Sequence, residues 1–106
     1  MNDPSQIEIP RSFIDLFMRA GSVKPTQSHS VVAARYEMCE DMAQMLVDPA
    51  RTRLIELGVT EQDVLERMHR GLVVAESAFG ADEAAWIVRR LAELLDWPRL
   101  LHEALE

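Results

Sequence analysis

Apolar residues recur every three or four positions along most of the chain, which is the spacing of an amphipathic α-helix. Stop and cap signals divide this pattern into six predicted helices, at about 13–20, from Thr26 or Ser28 to 47, 49–57, 61–78, 82–96 and 99–105. No segment alternates between apolar and polar residues as a half-buried strand does. We therefore predict an all-α fold, a compact bundle of five to six helices over residues 11–106, preceded by a flexible tail at residues 1–10.

Local signals set the ends of these helices. Ser12–Asp15 and Thr60–Asp63 have the spacing of capping boxes. Gly21 and Gly58 are typical helix terminators. Asp48-Pro49 is expected to end the long central helix and begin the next one, because proline lacks a backbone donor and fits the first turn of a helix.

The central helix carries the single cysteine and three of the six methionines. At about 100° per residue, one broad arc is expected to hold its sulfur-containing and aliphatic side chains, namely Val31, Val32, Met38, Cys39, Met42, Met45 and Leu46. The opposite side is expected to hold Glu37, Glu40, Asp41, Gln44 and Asp48. Carboxylates and sulfurs then cannot share a metal site, so the sulfur face is interpreted as core.

Arg35 interrupts this apolar arc. An unpaired buried guanidinium is costly, so Arg35 is expected to reach water or to meet a carboxylate of another helix. The sharper interpretation makes it a pocket residue that binds an anionic ligand or a partner's acid.

Two further segments carry apolar residues outside a single inner stripe. In the helix 82–96, Trp86 is predicted to lie opposite the stripe together with Arg89 and Arg90, a composition typical of interface hot spots. The alternative is that a neighbouring helix covers Trp86. With Trp97 these residues form the first candidate partner-binding surface. The second is the first helix, where Phe13 and Phe17 either pack within the fold or dock into a groove.

The motifs of common catalytic and metal sites are missing from the sequence. Glu66 and His69 form one Glu-x-x-His unit, whereas a di-iron bundle needs two. There is no phosphate-binding loop, no Cys-x-x-Cys pair and no Gly-x-Ser-x-Gly elbow. We therefore expect neither an enzyme nor a cofactor, and a metal-binding helical bundle is only the third hypothesis.

Residues 54–64 resemble part of a helix-turn-helix DNA-binding motif, through a helix, a Gly-Val-Thr turn and a second helix. Residues 50–70 are therefore the alternative functional site. Two features weigh against DNA. Arg67 stands where an apolar residue is usual, and acidic Glu61, Asp63 and Glu66 would face the phosphates.

Composition narrows the functional class. The chain has 106 residues, 48% hydrophobic and 27% charged, with a net charge of −7, which disfavours nucleic acid and anionic membranes. A single cysteine and the lack of a signal-peptide pattern favour the cytoplasm. No apolar run is long enough to span a bilayer.

The segments ARYEMCEDMAQ and WIVRRLAELLDW resemble a group of small all-α bacterial proteins. Such sequences are associated with the label chaperone ATPase, but this sequence contains no nucleotide-binding motif. We expect a non-enzymatic cytoplasmic protein that acts through protein–protein contact, as an adaptor, regulator or chaperone-like partner, with another protein or a second copy of itself as the partner.

Overall fold

The computed structural model describes residues 8–74 and 78–97. They form four α-helices, α1 Arg11–Ile14, α2 His29–Leu57, α3 Glu61–Leu72 and α4 Ala81–Leu95, with a 3-10 turn at Asp15–Phe17. These ranges contain no strand, only an isolated bridge between Met18 and Pro25. The all-α prediction is confirmed, whereas the count of five to six helices is not. The helix predicted at 99–105 lies outside the described residues.

α2 is one continuous helix of 29 residues with Pro49 in its interior, so the break predicted at Asp48-Pro49 is wrong. An interior proline removes one hydrogen bond, the one that the carbonyl of Met45 would accept. Met45 and Pro49 are both exposed, so this turn of the helix faces water, which can hydrogen-bond to a free carbonyl. The lost hydrogen bond therefore does not leave a buried polar group, and the helix passes through the proline.

The first helix is shorter than predicted, and its start differs as well. α1 begins after Pro10, whose carbonyl accepts from the backbone N–H groups of Phe13 and Ile14. Ser12 therefore lies inside α1, and the capping box predicted at this residue is wrong. The helix ends early because Met18 is extended and the carbonyl of Phe17 accepts from Thr26 N at 2.6 Å.

The chain divides into two compact units, Met1–Met38 and Cys39–Glu106. In the first unit Phe13 is fully buried, and its ring lies 5.6 Å from the rings of both Phe17 and Tyr36. Aromatic pairs at this distance stabilise a core beyond the effect of burial alone. The interpretation that Phe13 packs within the fold is confirmed.

The core of the second unit comes mainly from α3 and α4. Their predicted inner stripes are buried at Val64, Leu65, Leu72, Ala84, Ile87, Val88, Leu91 and Leu95. α2 ends at Leu57, directly before Gly58, which has a φ of 62°, a left-handed conformation that glycine adopts without strain. The three-residue turn 58–60 then leads into α3.

Thr60 caps α3 as predicted, because its Oγ1 accepts from Asp63 N at 3.1 Å. We expect Thr60→Ala to lower the free energy of unfolding by about 1 kcal/mol, since this N–H loses its acceptor. Thr60→Ser retains the oxygen and should stay within a few tenths of a kcal/mol of the parent protein. Urea denaturation of the three proteins measures the difference. Equal losses in both variants would contradict the capping role.

Candidate interaction surface

The buried face of α2 in the second unit consists of small side chains. Cys39, Ala43 and Ala50 are fully buried, whereas Met45 is 67% exposed. The prediction that the sulfur residues share the interior is therefore right for Cys39 and wrong for Met45, and in the first unit Met38 is exposed as well. Small side chains allow a close approach of helices, so the alanines mark the inner side of α2.

Glu40 lies on this inner side, contrary to its predicted outward position. Its carboxylate accepts from Arg90 Nε at 2.8 Å and Arg90 Nη2 at 3.1 Å, a bidentate pair that links α2 to α4. Gln44 Nε2 donates to the same carboxylate at 2.8 Å, and Arg90 Nη1 donates to Glu93 at 3.3 Å. The side chains of Glu40 and Arg90 are 17% and 34% exposed.

The pair shifts both ionisation equilibria. Burial alone would raise the pKa of Glu40, but hydrogen bonds from Arg90 and Gln44, together with the charge of Arg90, outweigh it and hold that pKa below its usual value. The hydrogen bond to Glu40 outweighs burial in the same way and raises the pKa of Arg90. Each group therefore stabilises the charged form of the other.

Trp86 is buried, with 4% of its surface exposed, so its predicted outward position is wrong and the covered alternative is right. The buried arc of α4 is wider than the predicted stripe, because Ala92 is also fully buried. Arg90 is engaged by Glu40, Arg89 is exposed, and Trp97 is half-buried. Partner binding at this surface stays a prediction, and Arg89 and Trp97 are its accessible members.

The first unit holds the remaining predicted site residues. Phe17 is half-buried beside the buried Phe13. Arg35 is half-buried, and its Nη1 lies 3.4 Å from Met38 Sδ. A groove of about 240 Å³ is lined by Ile9, Ile14, Pro25, Gln27, His29 and Val32, and Arg35 is not among its lining residues. The anion-binding role of Arg35 stays a prediction.

The outer side of α2 in the second unit carries a row of exposed residues at spacings of four, three, four and three: Asp41, Met45, Asp48, Thr52 and Ile55. We call this row the outer strip. Ile55 is 80% exposed, more than Met45. Such spacing places side chains on one helix face. The sequence shows this spacing, but it does not predict an exposed row, because the predicted inner arc includes Met45.

Residues 50–70 contain the predicted helix, turn and second helix. Arg67 is exposed, and its Nε lies 2.7 Å from Asp63 Oδ2. The apolar contact that a helix-turn-helix motif usually makes at this position is therefore missing. The first turn of α3 carries Glu61 and Asp63, as the sequence indicated.

Across the described ranges, no three or more histidine, cysteine or acidic side chains lie close enough to hold a metal ion. Within the same ranges, no helix combines the length and the apolar character needed to cross a membrane.

Comparison with protein-family models, curated proteins and solved structures finds no match for this chain. The resemblance to small all-α bacterial proteins stays a prediction. The outer strip presents two large apolar groups, a hydroxyl and two carboxylates.

Proposed function

We propose that this protein is a non-enzymatic binding module that acts by contact between the outer strip and another protein. One observation carries the proposal: in the second unit the fully buried side chains of α2 are small, whereas two of its large apolar side chains are exposed. Ala43 and Ala50 are fully buried, whereas Met45 and Ile55 are exposed on the opposite side. Packing within the fold alone would favour the reverse arrangement, because large side chains gain more from burial.

The free energy available at this surface is substantial. Covering an exposed methionine or isoleucine side chain completely is worth about 1.5–3 kcal/mol. Met45 and Ile55 lie ten residues apart, which corresponds to roughly 15 Å along a helix. A single partner helix or groove can therefore contact both side chains at once, in the manner of helix-in-groove recognition.

The ion pair of the second unit supports a non-enzymatic role. Shifted pKa values often mark catalytic groups, but Glu40 and Arg90 satisfy each other, and their shifts follow from that contact. We propose that the protein acts in the cytoplasm as an adaptor, regulator or chaperone-like partner, with another protein or a second copy of itself. Such a role needs an accessible surface but no catalytic group with a shifted pKa.

Photo-crosslinking in the cells that encode the protein tests the proposal. A benzophenone amino acid is placed at Met45 or Ile55, at Arg89 of the first predicted surface, and at exposed Asp82 of α4 as the matched control. We expect discrete protein adducts at Met45 and Ile55 and background labelling at Asp82, because only the strip positions would lie against a partner. Adducts are resolved by electrophoresis and identified by mass spectrometry.

Comparison of the labelled positions distinguishes the two surfaces. Adducts at Arg89 alone would move the contact to α4 and overturn the role of the outer strip. Background labelling at all four positions would overturn the proposal of a protein-binding function at either surface.

DNA binding through residues 50–70 is the second candidate, favoured by the short turn 58–60 between α2 and α3. Acidic side chains in the first turn of α3 would meet the phosphates and oppose it. Fluorescence anisotropy with random duplex DNA separates the candidates. Affinity that falls steeply with salt would favour DNA, and no binding at low salt would remove this alternative.

A further inference from the structure

The outer strip combines two apolar side chains, Met45 and Ile55, with two acidic ones, Asp41 and Asp48. Asp41 and Asp48 occupy equivalent positions one heptad apart, and each lies beside Met45. The side chain of Asp48 is 94% exposed, and its ion pair with Arg51 is long, with Nη1 and Oδ1 4.0 Å apart. Exposed pairs of this kind contribute little, so the carboxylate of Asp48 remains available to a cation from outside.

Neighbouring charges reinforce the acidic character of the strip. Glu56 is exposed directly after Ile55. At about 100° per residue, Arg51 and Glu56 both fall beside the strip, on opposite edges, and Arg53 falls further round the helix. The exposed carboxylates of Asp41, Asp48 and Glu56 therefore outnumber the one guanidinium beside the strip. Glu40, the carboxylate that Arg90 neutralises, lies on the inner side. The accessible charge along the strip is therefore negative, in keeping with the net charge of −7 for the whole chain.

We infer that the partner segment is a basic amphipathic helix, with apolar residues at three- and four-residue spacing and lysine or arginine beside them. This inference rests on the proposed function of the outer strip. The apolar side chains of such a helix would cover Met45 and Ile55, while its cations would meet Asp41 and Asp48. Apolar contacts supply most of the affinity, and complementary charge selects the partner and accelerates its association.

A second copy of the chain fits this surface less well. Two outer strips packed against each other would bring acidic positions into one interface, and like charges in contact oppose association. Asp41 and Asp48 stand where the seam of a self-associating coiled coil requires apolar residues. A basic helix converts the same two positions into favourable contacts.

Three fluorescein-labelled synthetic peptides of 21 residues serve as probes. The first places leucine at the a and d positions of a heptad and lysine at the flanking positions. The second has the same composition in scrambled order, and the third keeps the leucine pattern with glutamate in place of lysine. Fluorescence anisotropy with the full chain is expected to show the patterned basic peptide binding about tenfold or more tightly than either control.

Variants of the full chain locate the contact. Ile55→Gln is expected to weaken binding of the patterned basic peptide about tenfold, because it removes an apolar anchor. Asp48→Asn should weaken it about three- to fivefold and reduce its salt dependence. Asp82→Asn removes the same charge from α4 and should leave the affinity unchanged. Circular dichroism verifies that each variant is folded.

Each contrary result has a distinct meaning. Equal binding of the scrambled basic peptide would reduce the effect to general electrostatic attraction and overturn the inference. Equal binding of the acidic peptide, still weakened by Ile55→Gln, would overturn the charge assignment but retain the strip as a protein-binding surface. A dimer in light scattering that Ile55→Gln dissociates would make a second copy the occupant. Failure of all three peptides would overturn the inference, whereas crosslinks at Ile55 would still support the proposed function.

Discussion

Trp86→Ala is expected to lower the free energy of unfolding by about 3–5 kcal/mol, the range found when a buried large aromatic side chain is truncated. Trp86 lies on α4 beside the fully buried Ile87, so its removal leaves a cavity in the core of the second unit. A domain of this size has a net stability on the order of 5–10 kcal/mol. The variant should therefore unfold at much lower urea concentration than the parent protein.

Trp97→Phe is the matched control, because Trp97 is half-buried and the phenylalanine retains an aromatic ring. This variant should lose far less stability and also isolates the fluorescence of Trp86. We expect that fluorescence to be blue-shifted and poorly quenched by iodide. A Trp86→Ala protein with near-parental stability but lost partner binding would instead place Trp86 in an interface and contradict the buried position.

The ion pair between Glu40 and Arg90 carries the second large effect. Replacing either residue with alanine is expected to lower the free energy of unfolding by about 2 kcal/mol. Breaking a fully buried pair costs about 3–5 kcal/mol, and the partial exposure of Arg90 reduces this figure. A double-mutant cycle isolates the coupling energy between the two side chains.

Asp63 and Arg67 provide a matched pair for this cycle. Their closest N–O distance is 2.7 Å, similar to 2.8 Å between Arg90 and Glu40, but they lie four residues apart on the surface of one helix. Such pairs couple by about 0.3–0.5 kcal/mol. Equal coupling energies in the two cycles would show that neither burial nor the link between two helices strengthens the pair of Glu40 and Arg90.

The pH dependence of this effect follows from the direction of the pKa shift. The pKa of Glu40 is lower in the folded chain than its ordinary value. Its contribution is therefore complete above the pKa of the unfolded state, roughly 4.3, and is lost as the pH falls through the lower folded value. The free energies of unfolding of Glu40→Gln and the parent protein should therefore converge as the pH falls through this range. Arg90 stays charged throughout this range and adds no slope.

The sequence was sufficient where local rules decide the structure. Oγ1 of Thr60 caps α3 because the acceptor and the donor lie three residues apart. Gly58 ends α2 because its left-handed φ is accessible to glycine at little cost. The inner stripe of α4 follows from a helical period that is unambiguous over fifteen residues. Each of these features depends on neighbours within one or two turns.

Sequence reasoning failed where the hydrophobicity of single residues was a poor guide. Met45 falls on the predicted inner arc of apolar and sulfur-containing residues, yet the neighbouring alanines are buried instead. Asp48-Pro49 predicts a helix boundary, although a proline on an exposed turn leaves its freed carbonyl where water can bind it. The outer strip exists only if α2 continues through Pro49 and if Met45 faces outward. A helix that ends at Pro49 and buries Met45 has no such row.

By itself the sequence determined the helical class, the cap at Thr60 and the inner faces of α3 and α4, because these depend on spacings within single segments. Only the tertiary structure decided which side of α2 is buried, that Trp86 is covered and that Glu40 pairs with Arg90. The last two residues lie fifty positions apart. Helical periodicity defines the faces of each helix, but the packing of one helix against another selects which face meets water.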